Sequence, residues 1–116
     1  MIGAHLKRLD LLDIGSSMNY NQVITFEWDK HKSDQCKKLR GFGFDQMINV
    51  FSDPHKVITP DKRHDYGEDR FEMLAIFRET IFVVIFTLRI AAIRIISARK
   101  ANEREKKRYK NKTHFS

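Results

Sequence analysis

Hydrophobic positions change period several times along this 116-residue chain, and each change marks an element. In "VITFEWD", residues 23–29, Ile24, Phe26 and Trp28 alternate with Val23, Thr25 and Glu27, the period-two pattern of a half-buried strand. Asp29 closes that run and can cap a polar helix extending through Leu39. "RGFGF" then turns the chain, and Phe44, Met47, Ile48 and Phe51 recur at helical spacing until "SDP" stops them. Ahead of this, residues 1–22 carry a weak helical pattern and the turn-rich "GSSMNYNQ", and read as an extension. The domain proper is expected at 23–110, with 111–116 as a basic tail.

Strand-like runs dominate the second half. "HKVIT" is followed by Pro60 and the polar tract "DKRHDYGED", then by "RFEMLAIF", "TIFVVIFTL" and "AAIRIIS". The middle run is apolar on both faces, as expected of a central strand covered on both sides. A hydropathy window over Thr80–Ile96 resembles a membrane span. However, Arg89 and Arg94 lie inside it, and each costs roughly 2.5–3.5 kcal/mol near a bilayer centre. Buried strands are the better reading. Ser97 is placed to cap a final helix, "ARKANEREKKRYK", in which Glu103 and Lys107 form a favourable pair one turn apart. The fold class that follows is α+β: a small antiparallel sheet with two N-terminal helices packed on one face and a basic C-terminal helix.

Charge sharpens this picture. Residues 1–93 hold 13 Lys/Arg and 13 Asp/Glu, whereas residues 94–116 hold 9 and 2, so the net charge of +7 belongs to the last 23 residues. A localised excess of cations points to a polyanionic partner. Nucleic acid, an anionic membrane surface and an acidic partner protein all meet that description, and Arg99, Lys100, Arg104, Lys107 and Arg108 are the candidates to bind it. The start, "MIGAHLKRLDLLDIGSS", interrupts its apolar run with charges and does not read as a leader. The single cysteine, Cys36, excludes an internal disulfide and reads as an inert thiol in a reducing compartment. Five histidines without paired spacing and one cysteine form no zinc pattern, and "RGFGFD" lacks the lysine and hydroxyl of a phosphate-binding loop. No metal or cofactor is expected.

Arginines on strands remain. With Phe71, Met73, Ala75 and Phe77 turned to the core, Arg70 takes the opposite face with Glu72 and Leu74; Arg94 likewise lies opposite Ile93 and Ile95, and Arg89 ends the central strand. Strands paired in sequence order gather these guanidiniums on one surface, where a scissile phosphate needs charge stabilisation. The alternative is structural, with each arginine paired to Asp65, Glu68, Asp69 or Glu72. His64 is the histidine nearest the group, a general acid or base in one reading and an exposed loop residue in the other.

"FEWD", "DYGEDRF" and "TLRIAAIRIISARKANEREKKRY" resemble the BrnT toxins of bacterial type II toxin–antitoxin modules over roughly residues 23–110. The resemblance implies a RelE/ParE-like fold and a metal-independent endoribonuclease that cleaves RNA and inhibits translation in the bacterial cytoplasm. It also implies a cognate antitoxin, BrnA-like with a ribbon-helix-helix domain, through which alone operator DNA is contacted, and no membrane partner. Arg70, Arg89 and Arg94 match positions that the family fills with arginine. A lysine of a Lys-His-Gly segment corresponds here to Leu39-Arg40-Gly41, leaving Lys38 or Arg40 to replace it, and "IAA" at 90–92 stands where the family places a polar turn. A catalytically inactive module that binds antitoxin or RNA is the alternative reading.

Overall fold

The computed structural model describes residues 2–8, 23–63, 65 and 67–114. It contains strands β1 (Ile2–Arg8), β2 (Val23–Asp29), β3 (Val57–Asp61), β4 (Arg70–Phe77), β5 (Thr80–Arg89) and β6 (Ala92–Lys100), and helices α1 (Lys30–Arg40), α2 (Phe44–Met47) and α3 (Glu103–His114). A 3-10 turn, Ile48–Ser52, extends α2. The strands form one sheet in the order β1-β2-β6-β5-β4-β3.

The α+β class expected from the pattern is present, with three corrections. Residues 2–8 form an edge strand antiparallel to β2 where a weak helical pattern was expected. The sheet is mixed rather than antiparallel, because β2 runs parallel to β6, with Glu27 beside Arg94 and Trp28 beside Ile95. Ser97 does not cap the last helix. The β5 ladder carries β6 on through Val83↔Arg99 and Phe82↔Lys100, and Asn102 starts α3 instead: its Oδ1 accepts the Glu105 N–H at 2.9 Å while Glu105 Oε1 accepts the Asn102 N–H at 2.9 Å.

Local chemistry explains the helices on the first face. Asp29 Oδ1 accepts the N–H groups of His31 and Lys32 at 2.8 and 3.2 Å, capping α1. Gly41, at φ 89°, ends α1 in the left-handed region. A Cβ at Gly43 would lie 2.6 Å from Oδ1 of the exposed Asp45, which can swing away, and 3.1 Å from Ser33 Oγ, which is held in place by its hydrogen bond. The buried Ser33 hydroxyl then accepts the Phe44 N–H at 2.8 Å, joining α1 to α2.

Two apolar clusters sandwich the sheet. Phe26, Phe51, Met73, Val84, Phe86 and Ile95 belong to the larger one, under α2 and its 3-10 turn. Leu74, Ile81, Val83 and Ile85 on the opposite face pack with Ala101 and Tyr109. Helices therefore cover both faces, not one. β2 stops beside Ile95 while β6 continues, so α1 runs along the exposed edge of β6, with Cys36 Sγ 3.6 Å from the Ala98 carbonyl and Arg40 Nη1 donating to it at 3.4 Å. Cys36 is buried, in keeping with an inert thiol. α3 is fastened by the Tyr109 hydroxyl, which donates to buried Asp53 Oδ2 at 2.6 Å. Asp53 Oδ2 also accepts the Ile76 N–H, which lies beyond the reach of β3. Burial and this hydrogen bond hold the Tyr109 hydroxyl protonated well above the ordinary tyrosine range. No helix among the described residues is long and apolar enough to cross a membrane.

The β4–β5 connection stores strain. Arg78 and Glu79 sit at φ 49° and 68° between paired Phe77 and Thr80, the positive angles that favour Asn-Gly in a two-residue hairpin. Each left-handed side-chain residue costs roughly 1–2 kcal/mol. The double substitution Arg78→Asn/Glu79→Gly is expected to raise the melting midpoint by about 3–8 °C, even though Arg78 leaves its place over the Phe77 ring at 5.2 Å. An unchanged or lower midpoint in calorimetry would show that the turn is not strained.

Candidate active site

Strand register assembles the arginines. Pairing across β3, β4, β5, β6 and β2 puts Asp61 beside Arg70, Thr87 beside Arg94 and Arg94 beside Glu27. With Phe71 opposite Phe86, Arg70 falls level with Thr87, and all five share the face opposite Phe26, Phe86 and Ile95. This row lies one step along the sheet from the apolar residues that α3 covers.

Carboxylates link the guanidiniums into a line. Arg94 Nη1 and Arg89 Nε lie 3.7 and 3.8 Å from the same oxygen, Glu27 Oε1. Arg89 Nη2 lies 3.4 Å from Glu68 Oε1, and Arg70 Nε 3.3 Å from Glu68 Oε2. The line Arg94–Glu27–Arg89–Glu68–Arg70 thus draws three cations from three strands around two acidic residues. Like charges would repel without those carboxylates, so Glu27 and Glu68 are what allow the cluster to form. At 3.7 Å the Arg94–Glu27 contact is longer than a hydrogen bond. The Arg94 side chain is 21% exposed and among the described residues its N–H groups have no hydrogen-bond acceptor.

Other sequence-predicted residues fall elsewhere. His64 lies outside the described residues. Lys38 sits on an outer stripe of α1 with His31 and Asp34. The neighbouring stripe, with Lys32 and Arg40, lines a groove shared with Arg63, Arg70 and Ser97. Of the two lysine replacements, Arg40 is the one beside the arginine face.

On the basic segment, Arg99 and Arg108 already have acidic partners. Arg99 grips Glu105 through both Nη atoms at 2.7 and 2.8 Å, and Arg108 pairs with Glu72. Glu103 pairs with Lys106, three residues on, rather than with Lys107. Lys100, Arg104 and Lys107 are exposed. Sequence reasoning missed Glu27 and Arg63, whereas Glu68 was among the acidic partners expected for these arginines and pairs with both Arg70 and Arg89. Glu27 was findable, since it alternates with Phe26 and Trp28 and so must face away from the core.

A family model described as "Ribonuclease toxin, BrnT, of type II toxin-antitoxin system" matches residues 28–105. The chain belongs to the BrnT family. As a BrnT protein it is a member of a ribonuclease toxin family whose systems include an antitoxin partner. A search of curated proteins found no match. The match ends at Glu105, so it spans β4, β5 and β6 with all three arginines, the capping pair Asn102–Glu105 and little of α3.

The Arg99–Glu105 pair makes a pH prediction. Arg99, chiefly through its hydrogen bonds, holds the Glu105 carboxyl down at about 2, below its ordinary 4.5. A carboxyl lowered in the folded state adds stability above its unfolded pKa and loses it as pH falls through the folded value. The difference in melting midpoint between wild type and Glu105→Gln should therefore be constant near neutral pH. It should close as pH falls from about 4.5 to about 2. A difference that persists undiminished at the acid end would exclude the ion pair as its source.

Proposed function

We propose that this BrnT protein is a metal-independent endoribonuclease toxin that cleaves RNA, inhibits translation and is neutralised by a cognate DNA-binding antitoxin. The observation that carries the reading is Arg94: a strand-borne guanidinium beside Arg89 and Arg70 whose donors are not hydrogen-bonded within the described structure. A permanently charged, forked donor on a rigid sheet suits a phosphate under attack.

The reaction is intramolecular. The ribose 2′-oxygen loses its proton and attacks the adjacent phosphorus; the P–O5′ bond breaks, leaving a 2′,3′-cyclic phosphate and a 5′-hydroxyl that takes up a proton. Arg94 and Arg70 stabilise the crowded phosphorane, and Arg89 bridges between them through Glu27 and Glu68. A dianionic phosphorane outcompetes a carboxylate for these cations more strongly than the monoanionic substrate does, which favours the transition state over the ground state. Glu27, the carboxylate beside Arg94, serves as the acceptor for the 2′-hydroxyl proton, and His64 serves as the proton donor to the leaving oxygen. Lys100, Arg104 and Lys107 hold the flanking backbone by charge.

The RelE/ParE-like arrangement is the one proposed for this fold, with α1 and α2 between β2 and β3. The antitoxin is BrnA-like, of the ribbon-helix-helix class, and operator DNA is reached only through it. Residues 1–22 serve as extension and 23–110 as toxin domain, the basic tail of 111–116 beginning within the last turn of α3, and the protein acts in the bacterial cytoplasm.

Inducing the chain alone should arrest growth and produce new RNA fragments ending in cyclic phosphate. Intact RNA despite folded protein would favour an inactive binding module. Arg94→Ala should slow cleavage a hundredfold or more, about 3 kcal/mol of transition-state stabilisation, with the melting midpoint held within a few degrees because no core atom is lost. Arg94→Lys should recover only part of the rate. A midpoint that collapses together with activity would make Arg94 a structural residue.

A further inference from the structure

At the end of the sheet, beside Arg89, a cleft of ≈ 850 Å³ opens between the Glu68–Asp69 turn and the β5–β6 tip. Its size falls within the roughly 300–1,000 Å³ of small-molecule sites. The walls are of two kinds. Phe71, Leu88, Ile90 and Ala91 supply apolar surface, while Glu68 and Asp69 supply carboxylates. The Phe71 ring is fixed by stacking on Phe86, centroids 5.5 Å apart and planes at 26°, and remains partly exposed on the cleft side. Ile90 is fully exposed at the tip, and the tip backbone is tied down where Thr25 N–H donates to the Ala91 carbonyl at 3.1 Å.

The two carboxylates differ. Glu68 is engaged with Arg70 and Arg89. Asp69 is anchored through its backbone, whose carbonyl accepts the Thr87 hydroxyl at 2.6 Å, but its exposed carboxylate has no hydrogen bond or ion pair among the described residues. A flat ligand with apolar faces and a donor edge is what such a cleft complements, and single-stranded RNA carries one beside every phosphate.

We propose that this cleft is a nucleobase subsite for the nucleotide next to the scissile phosphate, selective for guanine through Asp69. The proposal rests on the ribonuclease reading for its place beside the cleaved bond. A carboxylate offers acceptors only. Guanine presents two adjacent donors, N1–H and the N2 amine, to its two oxygens. Cytosine and adenine set one amine beside a ring acceptor that repels the second oxygen, and uracil sets a single N–H between two carbonyls. The apolar tip "IAA" thereby acquires a role, since Ile90 and Ala91 form the wall against which the base lies opposite Phe71.

The test has two arms on the full chain. In the first, wild type and Asp69→Asn are titrated with 5′-GMP, AMP, CMP and UMP while amide NMR shifts are followed. GMP should bind wild type about tenfold more tightly than the others, shifting Asp69, Phe71 and Ile90, and Asp69→Asn should lose that preference with its fold intact. Equal binding of the four, or no binding, overturns the subsite, as does an unchanged preference in the variant. In the second arm, oligonucleotides varying only in the bases flanking one site are cleaved. Wild type should favour guanine and Asp69→Asn should cut all bases with similar rates. Selective GMP binding without any cleavage would overturn the ribonuclease reading and leave the subsite standing. Cleavage indifferent to the flanking base would overturn the role proposed for Asp69.

Discussion

Everything in this domain depends on covering β5 on both sides. Residues Ile81 to Thr87 are buried without exception, with Phe82, Val84 and Phe86 in one cluster and Ile81, Val83 and Ile85 in the other. Six large apolar side chains in one strand, each contributing roughly 1.5–3 kcal/mol when removed from water, demand a layer on each face. α2 and its 3-10 turn form one layer and α3 the other. Because Tyr109 is the one hydrophobic residue of α3, the helix's attachment relies on burial of that ring and on the hydrogen bond from Tyr109 to Asp53. This explains why a helix so rich in lysine and arginine is an integral part of the fold.

The same constraint sets where polar chemistry can sit. α3 covers the rows of Leu74, Val83 and Ile85, and the next row outward carries Arg70, Thr87 and Arg94. Arginines at that boundary keep their stems against the sheet while their heads reach water. Their mutual repulsion is offset by Glu27 and Glu68, each of which serves two of them. The pairs of half-exposed Arg89 contribute little stability, about 0–1 kcal/mol each, and the partly buried Arg94–Glu27 contact is too long for a hydrogen bond at 3.7 Å, so the cluster is weak as a structural device. On the ribonuclease reading it is a prepositioned set of cations.

How legible was this in the sequence? The elements from 23 to 89 were readable because their signals are local. Asp29 caps α1, Gly41 ends it, and alternation in 23–29 and 70–77 sorts core from surface residues. The gathering of Arg70, Arg89 and Arg94 was also readable, since it needs only antiparallel neighbours. Partnerships between remote segments were not. The parallel pairing of β2 with β6, which sets Glu27 against Arg94, joins residues 67 positions apart and leaves no periodic trace. The start of α3 was misplaced for a related reason. Around the register shift at Ile85/Phe86 the inward positions of β6 pass from Ile95 to Ala98, breaking the alternation that would have shown the strand running on to Lys100. Ser97 then offered a cap that the β5 ladder overrides.

The placement of charge within residues 94–116 changes what the net +7 means. Arg99 and Arg108, on the sheet side of the basic segment, already bind Glu105 and Glu72, so their charge holds α3 to the sheet. The cations facing water, Lys100, Arg104 and Lys107 with Lys110 and Lys112 further along the helix, can release counterions when a polyanion binds. Composition counts both sets alike. A polyanion following the exposed cations meets Arg108 on Glu72, and Glu72 is the strand neighbour but one of Arg70. The structural cations therefore lie between the outer helix surface and the arginine row. On the ribonuclease reading, a strand of RNA spanning the two surfaces passes over an ion pair that helps to anchor α3.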